Sequence, residues 1–222
     1  MKLIEPIENE LNSLKDEVNT MWKLVISQLE KAKQSFLKND YDLAREIISR
    51  EKRIDAFELK IESDAENYIA LYNPKAIDLR LILSLIKISS TLERISDFAE
   101  GIARHVIEGD CKQLSPQVIE ELKIETMFDV LITMLTSSFS ALEAENTKIT
   151  GKILAMDDDV DVIYRNSIDI LTQHLQASPD LIRCGLKLCL LIRKLERIGD
   201  HCSNIVEDIV FYIDAKVLKH GG

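Results

Sequence analysis

The chain carries the segment Leu92-Glu93-Arg94-Ile95-Ser96-Asp97 and, 103 residues further on, Leu195-Glu196-Arg197-Ile198-Gly199-Asp200. A repeat at that distance in a chain of 222 residues implies two halves built to one plan. The correspondence extends beyond the motif. At an offset of 106, Met21 matches Met127, Trp22 matches Phe128, Glu51 matches Asp157 and Asp55 matches Asp161. At an offset of 103, Arg80 matches Arg183, Leu85 matches Leu188, Glu93 matches Glu196 and Asp97 matches Asp200. The slippage of three residues falls around a turn marked by Pro74 in one half and Pro179 in the other.

With only 7 Gly, 4 Pro and 30% charged residues, the composition favours long helices over sheets. Read at helical period, the chain divides into six segments. The first runs from about Glu5 to Lys38 and the second from Tyr41 to Tyr72. The third runs from Lys75 to Glu108 and stops at Gly109-Asp110. Ser115-Pro116 opens a fourth, with Ser as N-cap and Pro at the first helical position. A break near Thr150-Gly151 precedes a fifth, and Ser178-Pro179 starts a sixth that reaches about Leu218. Asn73-Pro74 ends the second segment because proline cannot continue a helix and restricts the residue before it. The third segment has an apolar seam of Leu85, Ile88, Leu92, Ile95, Ala99, Ile102 and Val106. The sixth repeats it with Leu188, Leu191, Leu195, Ile198, Cys202, Ile205 and Ile209. Such stripes pack against partner helices at small crossing angles. The expected fold is all-α: two tandem antiparallel three-helix bundles, over residues 1–110 and 115–222. Trp22 and Phe128, at matched positions, read as core.

The net charge of −10 argues against a nucleic-acid binder, which needs a basic footprint. It also disfavours adhesion to an anionic membrane. The first residues form no apolar signal region, and the most apolar stretch, Leu79 to Leu92, is interrupted by Arg80 and Lys87. A soluble, cytoplasmic protein without membrane insertion is expected. Cys111, Cys184, Cys189 and Cys202 form no CxxC pair, and three of them read as buried free thiols. No phosphate-binding glycine loop and no nucleophile–base arrangement are legible. His105, His174, His201 and His220 form no helical pairs with each other, and His201 reads as a surface residue.

A Glu-x-x-x-Asp pair alone is weak evidence, since 38 acids in 222 positions give roughly six acid pairs at that spacing by chance. Position sharpens it. Asp55 lies 19 residues before Pro74 and Glu93 lies 19 after it; Glu51 and Asp97 lie 23 before and after. An antiparallel hairpin therefore sets these four acids in two level pairs. About Pro179, Asp161 and Asp157 stand 18 and 22 before, and Glu196 and Asp200 stand 17 and 21 after. Carboxylates gathered beside an apolar seam repel, and desolvation adds to the cost. Protonation, pairing with Arg or Lys, or a metal ion would relieve it. Arg94 and Arg197 are the nearest cations, yet each is expected to project about 100° away from its neighbouring Glu. An all-oxygen set suits hard cations, and more than one per site fits bridging carboxylates. Glu100 is a possible further ligand in the first cluster and Asn204 in the second.

At these residues the chain resembles the PhoU family. The carriers are Asp78-Leu79-Arg80, the two LERI-x-D segments and the two-bundle repeat, which together cover nearly the whole chain. The resemblance implies tandem three-helix bundles, each with Glu/Asp-x-x-x-Asp motifs that in some relatives hold multinuclear iron or other metals. On that pattern Glu51, Asp55, Glu93 and Asp97 form one site, and Asp157, Asp161, Glu196 and Asp200 the other. Iron, manganese, magnesium or zinc are the metals expected. The family usually has Gly before the motif Asp and Asn four residues after it. The first copy has Ser96 and Gly101 there, whereas the second keeps Gly199 and Asn204, which makes the second cluster the better match. The implied function is regulation and not catalysis. Members act as negative regulators of phosphate uptake and phosphate-starvation signalling. They link a PstB-like transporter ATPase subunit to a PhoR-like sensor histidine kinase, and a homodimer is expected. Service to another phosphate transporter, sodium-coupled or of low affinity, and a metal-free helical scaffold are the alternatives. A di-iron enzyme would need Glu-x-x-His on two helices, and no His has that spacing.

Overall fold

The computed structural model describes residues 4–109 and 116–217, with side chains from residue 8 onward. Cys111, the expected N-cap Ser115, the expected helix end at Leu218, and His220 lie outside the described residues. Among the described residues all regular structure is helical. The helices are α1 (Ile4–Lys38), α2 (Tyr41–Tyr72), α3 (Ile77–Glu108), α4 (Pro116–Glu121), α5 (Ile124–Glu143), α6 (Thr150–Ala177) and α7 (Ile182–Asp214). A short 3₁₀ turn, Pro179–Leu181, leads into α7.

Local chemistry explains the boundaries. Asp40 caps α2, its carboxylate accepting from the Asp42 N–H at 3.1 Å and the Leu43 N–H at 3.0 Å. Asn73 ends α2 in the left-handed conformation, φ +47°, with Pro74 next in sequence. Gly109 closes α3 in the same way, at φ +67°.

Three boundaries differ from the expectation. The last helix stops at Asp214, short of the expected Leu218, where Ala215 turns left-handed at φ +54°. The fourth segment is two helices, broken at Leu122-Lys123. Val118, Leu122, Ile124 and Phe128 are all buried. The step of two from Leu122 to Ile124 puts these side chains roughly 200° apart on one continuous helix. Lys123, at φ +51°, resets the phase so that both face the core. The second break lies over residues 144–149, where Glu145 is left-handed, and Gly151 sits inside the first turn of α6.

α1, α2 and α3 form one bundle, and α5, α6 and α7 the other. Both predicted seams are buried along their whole length. Each large aliphatic side chain so buried contributes roughly 1.5–3 kcal/mol. Trp22 and Phe128 are fully buried. The bundles pack antiparallel, α1 on α5 and α3 on α7. Trp22 Nε1 donates to the Leu135 carbonyl at 3.1 Å. Ser84 Oγ donates to the Asp208 carbonyl at 3.0 Å, and Arg80 Nε to the Tyr212 carbonyl at 3.2 Å. At the α3–α7 crossing Gly101 leaves room for the Lys194 side chain, whose Nζ lies 2.7 Å from where a Cβ would stand. α2 and α6 lie outermost, so the acids they carry face α3 and α7 away from the joint. Cys184 and Cys202 are buried free thiols, and Cys189 is partly buried.

Candidate metal centres

α2 and α3 bring the first set of acids together at the heights counted from Pro74. Glu51 reaches across to α3, where Ser96 Oγ donates to its Oε2 at 2.8 Å. The Glu51 side chain is held because Ile47 and Ile54, one turn either side, are buried in the bundle. Glu51 is only 8% exposed, and its Oε1 is buried without a hydrogen-bond partner. Burial pushes its carboxyl up to about 7; Asp97, Asp55 and Glu100 add to the rise, and the Ser96 hydrogen bond opposes it. Glu93 is likewise raised to about 7, by burial first and then by Asp97, Glu58 and Asp55, with Arg94 opposing. Asp97 stands at the outer edge of the cluster. Partial desolvation raises it, as do Glu100 and Asp55, while Glu51 and Arg94 hold it down. Glu100 is paired with Arg104 at 2.6 Å.

The second set is similar in plan and different in detail. Asp157 on α6 accepts from Ser203 Oγ of α7 at 2.7 Å. Its other oxygen rests on Gly199, where an added Cβ would overlap it. Glu196 Oε2 is buried without a hydrogen-bond partner. Burial raises the Glu196 carboxyl, helped by Asp200 and Asp161 and opposed by Arg193 and Arg197. Asp200 is paired with Arg197 at 3.5 Å, and Asp161 with Arg165 at 3.9 Å. Asn204 is exposed one turn beyond Asp200.

Arg197, expected to project away from Glu196, pairs with the i+3 carboxylate of Asp200, a partner the 100° offset from Glu196 does not bring into view. His201 is corrected from a surface residue. It is half-buried and stacked on Phe98, with ring centroids 5.6 Å apart. Three contributors were not legible as such: the two serine braces and Glu58. Glu58 follows Glu51 and Asp55 at helical spacing, and that spacing is the signal that would have found it.

Chemically, both sets offer oxygen donors alone, with no Cys or His among them. That suits Mg²⁺, Mn²⁺ or iron better than zinc, which prefers nitrogen and sulfur ligands. The buried, unpartnered Glu51 Oε1 is the atom a cation would satisfy. As the side chains stand, no three acidic, His or Cys side chains among the described residues converge on one ion position. Closing on an ion would take carboxylate rotation about the side-chain torsions.

The family profile described as the PhoU domain matches this chain twice, over residues 18–106 and 124–209. The chain belongs to the PhoU family. It is 33% identical to the phosphate-specific transport system accessory protein PhoU homolog of Aquifex aeolicus, over 95% of this chain and 94% of that protein. It is 30% identical to the phosphate-specific transport system accessory protein PhoU of Escherichia coli K12, over 96% of this chain and 87% of that protein. The crystal structure of PhoU from Pseudomonas aeruginosa superposes with a TM-score of 0.89 at 26% identity, covering 94% of this chain and 99% of that one. The phosphate transport system regulatory protein PhoU of Streptococcus pneumoniae gives 0.84 at 25% identity, over 96% of this chain and 99% of that one. Each PhoU-domain match contains one complete acid set.

Proposed function

We propose that this chain is an accessory protein of a phosphate transport system and a negative regulator of phosphate uptake and phosphate-starvation signalling. In this reading it works in the cytoplasm as a homodimeric adaptor without catalysis of its own. It docks on a PstB-like ATPase subunit of the transporter and on a PhoR-like sensor kinase. The observation that carries the reading is the double PhoU-domain match, which spans both halves, together with relatives named for phosphate transport over nearly the full chain. Among the described residues no helix is long and apolar enough to cross a membrane, which fits an adaptor that binds a membrane complex from one side.

The acid sets supply the second part of the proposal. Glu51, Asp55, Glu93 and Asp97, with Glu100 beside them, would hold cations between α2 and α3. Asp157, Asp161, Glu196 and Asp200 would do so between α6 and α7. Bound cations would neutralise the repelling carboxylates and tie each outer helix to the central pair. Support comes from the burial of Glu51 with one oxygen unpartnered, and from the all-oxygen donor sets.

A metal-free scaffold is the second reading. It is favoured by the absence of a ready three-ligand position and by the arginine pairing around Asp161 and Asp200.

The functional test is affinity capture of the tagged chain from phosphate-replete and phosphate-starved cells. The expected result is recovery of the transporter ATPase and the sensor kinase, with a difference between the two states. Recovery of a sodium-coupled phosphate transporter instead would reassign the transporter. Recovery of neither class of partner would overturn the proposal.

A further inference from the structure

The two acid sets differ in how far the protein itself cancels their charge. Around the second, two arginines pair with carboxylates of the set. Arg197 pairs with Asp200 at 3.5 Å and Arg165 pairs with Asp161 at 3.9 Å, while Arg193, hydrogen-bonded to the Tyr164 hydroxyl, acts on Glu196 only through its charge. Around the first, Arg50 and Arg53 of α2 are engaged elsewhere. Arg50 pairs with Glu46 at 2.5 Å, and the Arg53 guanidinium lies 5.9 Å from the centre of the Phe57 ring. Arg104 is taken by Glu100. Arg94 acts on Glu93 and Asp97 through its charge, as Arg193 does on Glu196, and forms no ion pair among the described residues.

The first set is also the richer in carboxylates. Where it has Glu100, the second has Ser203, at the same position of the repeat. The hydroxyl brace correspondingly comes from a different turn: from Ser96, just before the motif Asp, in the first set, and from Ser203, three residues after it, in the second. Each set keeps a buried carboxylate oxygen without a hydrogen-bond partner, Glu51 Oε1 in the first and Glu196 Oε2 in the second, but only Glu51 is more than nine-tenths buried. Opposite charges a few ångströms apart attract more strongly where water is excluded, so an uncompensated buried carboxylate is the stronger cation ligand.

We infer that the two centres are unequal, with the α2–α3 centre loading a divalent cation first and the arginine-compensated α6–α7 centre second. The ordering rests on the proposed metal binding and runs opposite to the better sequence match of the second motif to the family. It assigns Arg165 and Arg197 the role of lowering cation affinity at the second centre.

The test is Mn²⁺ titration of the metal-stripped full chain, read by calorimetry and by the electron paramagnetic resonance of free Mn²⁺. Two classes of sites are expected, the tighter by at least about tenfold. Glu51→Gln or Glu93→Gln removes the tight class, and Glu196→Gln removes only the weak one. The exposed double variant Arg165→Gln with Arg197→Gln tightens the weak class and leaves the tight one in place. Equal affinities, loss of the tight class in Glu196→Gln, or no gain in the arginine variant would overturn the ordering while leaving metal binding intact. Absence of any Mn²⁺ binding would overturn both.

Discussion

Phe98 and His201 stack on each other where α3 crosses α7, with 5.6 Å between ring centroids and 29° between ring planes. They are equivalent positions of the repeat, 103 residues apart, so the contact lies on the pseudo-two-fold axis that relates the halves. Arg94 and Arg197, likewise equivalent, both act on the imidazole. The α3–α7 crossing thus has one pair of repeat partners meeting face to face, and the two acid sets lie on either side of it.

His201 is held neutral by burial, and then by Arg197 and Arg94, with Asp200 opposing. Its folded pKa therefore lies below the unfolded value of about 6.5. The sign follows from linkage. Stability is fully present above the unfolded pKa and is lost as pH falls through it, because only the unfolded chain takes up the proton readily. With chelator present, His201→Phe is expected to flatten the decline in urea midpoint between pH 7 and pH 5. An unchanged slope would show that His201 does not titrate in this way.

Glu51 gives the opposite dependence. Its folded pKa is raised to about 7. In metal-free protein its penalty is absent below the unfolded pKa and grows as pH rises through the folded one. Glu51→Gln is expected to stabilise the stripped protein above pH 7 by about 1–3 kcal/mol and to have little effect near pH 4. Denaturant unfolding at both pH values checks it. Equal effects at the two would argue against an ionised, uncompensated Glu51.

Gly199→Ala tests the close approach of α6 to α7. By helix propensity alone, Ala would stabilise a mid-helix position by about 1 kcal/mol. Here the methyl group would overlap Asp157 Oδ1. A net loss of about 1–3 kcal/mol is expected, with the first centre unaffected. Thermal unfolding of the stripped variant measures the loss, and a gain in stability would show that Asp157 moves aside at little cost.

Trp22→Phe tests the α1–α5 packing. The indole N–H donates to the Leu135 carbonyl in a fully buried position. Removing the donor leaves that carbonyl without the bond and opens space in the core, for an expected cost of about 2–4 kcal/mol. A cost below about 0.5 kcal/mol in denaturant unfolding would show that water or a neighbour replaces the bond.

The fold was legible because its signals are one-dimensional. Pro74 and Pro179 mark turns, the seams of α3 and α7 have unbroken helical spacing, and the repeat fixes the correspondence. The level placement of Glu51 with Asp97 followed from counting to the turn, and Ser96, next to Asp97, makes the contact. The break at Lys123 was missed because no Gly or Pro marks it; only the step from Leu122 to Ile124 betrays it. The Arg197–Asp200 pair was missed because the 100° offset concerns Glu196 alone and not the carboxylate three residues on. The charge balance that separates the two centres depends on Arg50, Arg53 and Arg165, each of which meets a partner four residues away on its own helix, and spacing alone does not say which of several such neighbours a long side chain takes.

The central claim is that the carboxylates between α2 and α3, and between α6 and α7, are cation centres that fasten the outer helices. The most direct measurement is the thermal unfolding of the stripped chain with and without Mn²⁺ at about a hundred times its dissociation constant. Wild type is expected to gain about 5 °C or more. The quadruple variant Glu51→Gln, Glu93→Gln, Glu196→Gln, Asp200→Asn is expected to fold and to gain nothing. A wild-type transition that does not move, or an equal gain in the quadruple variant, would contradict the claim.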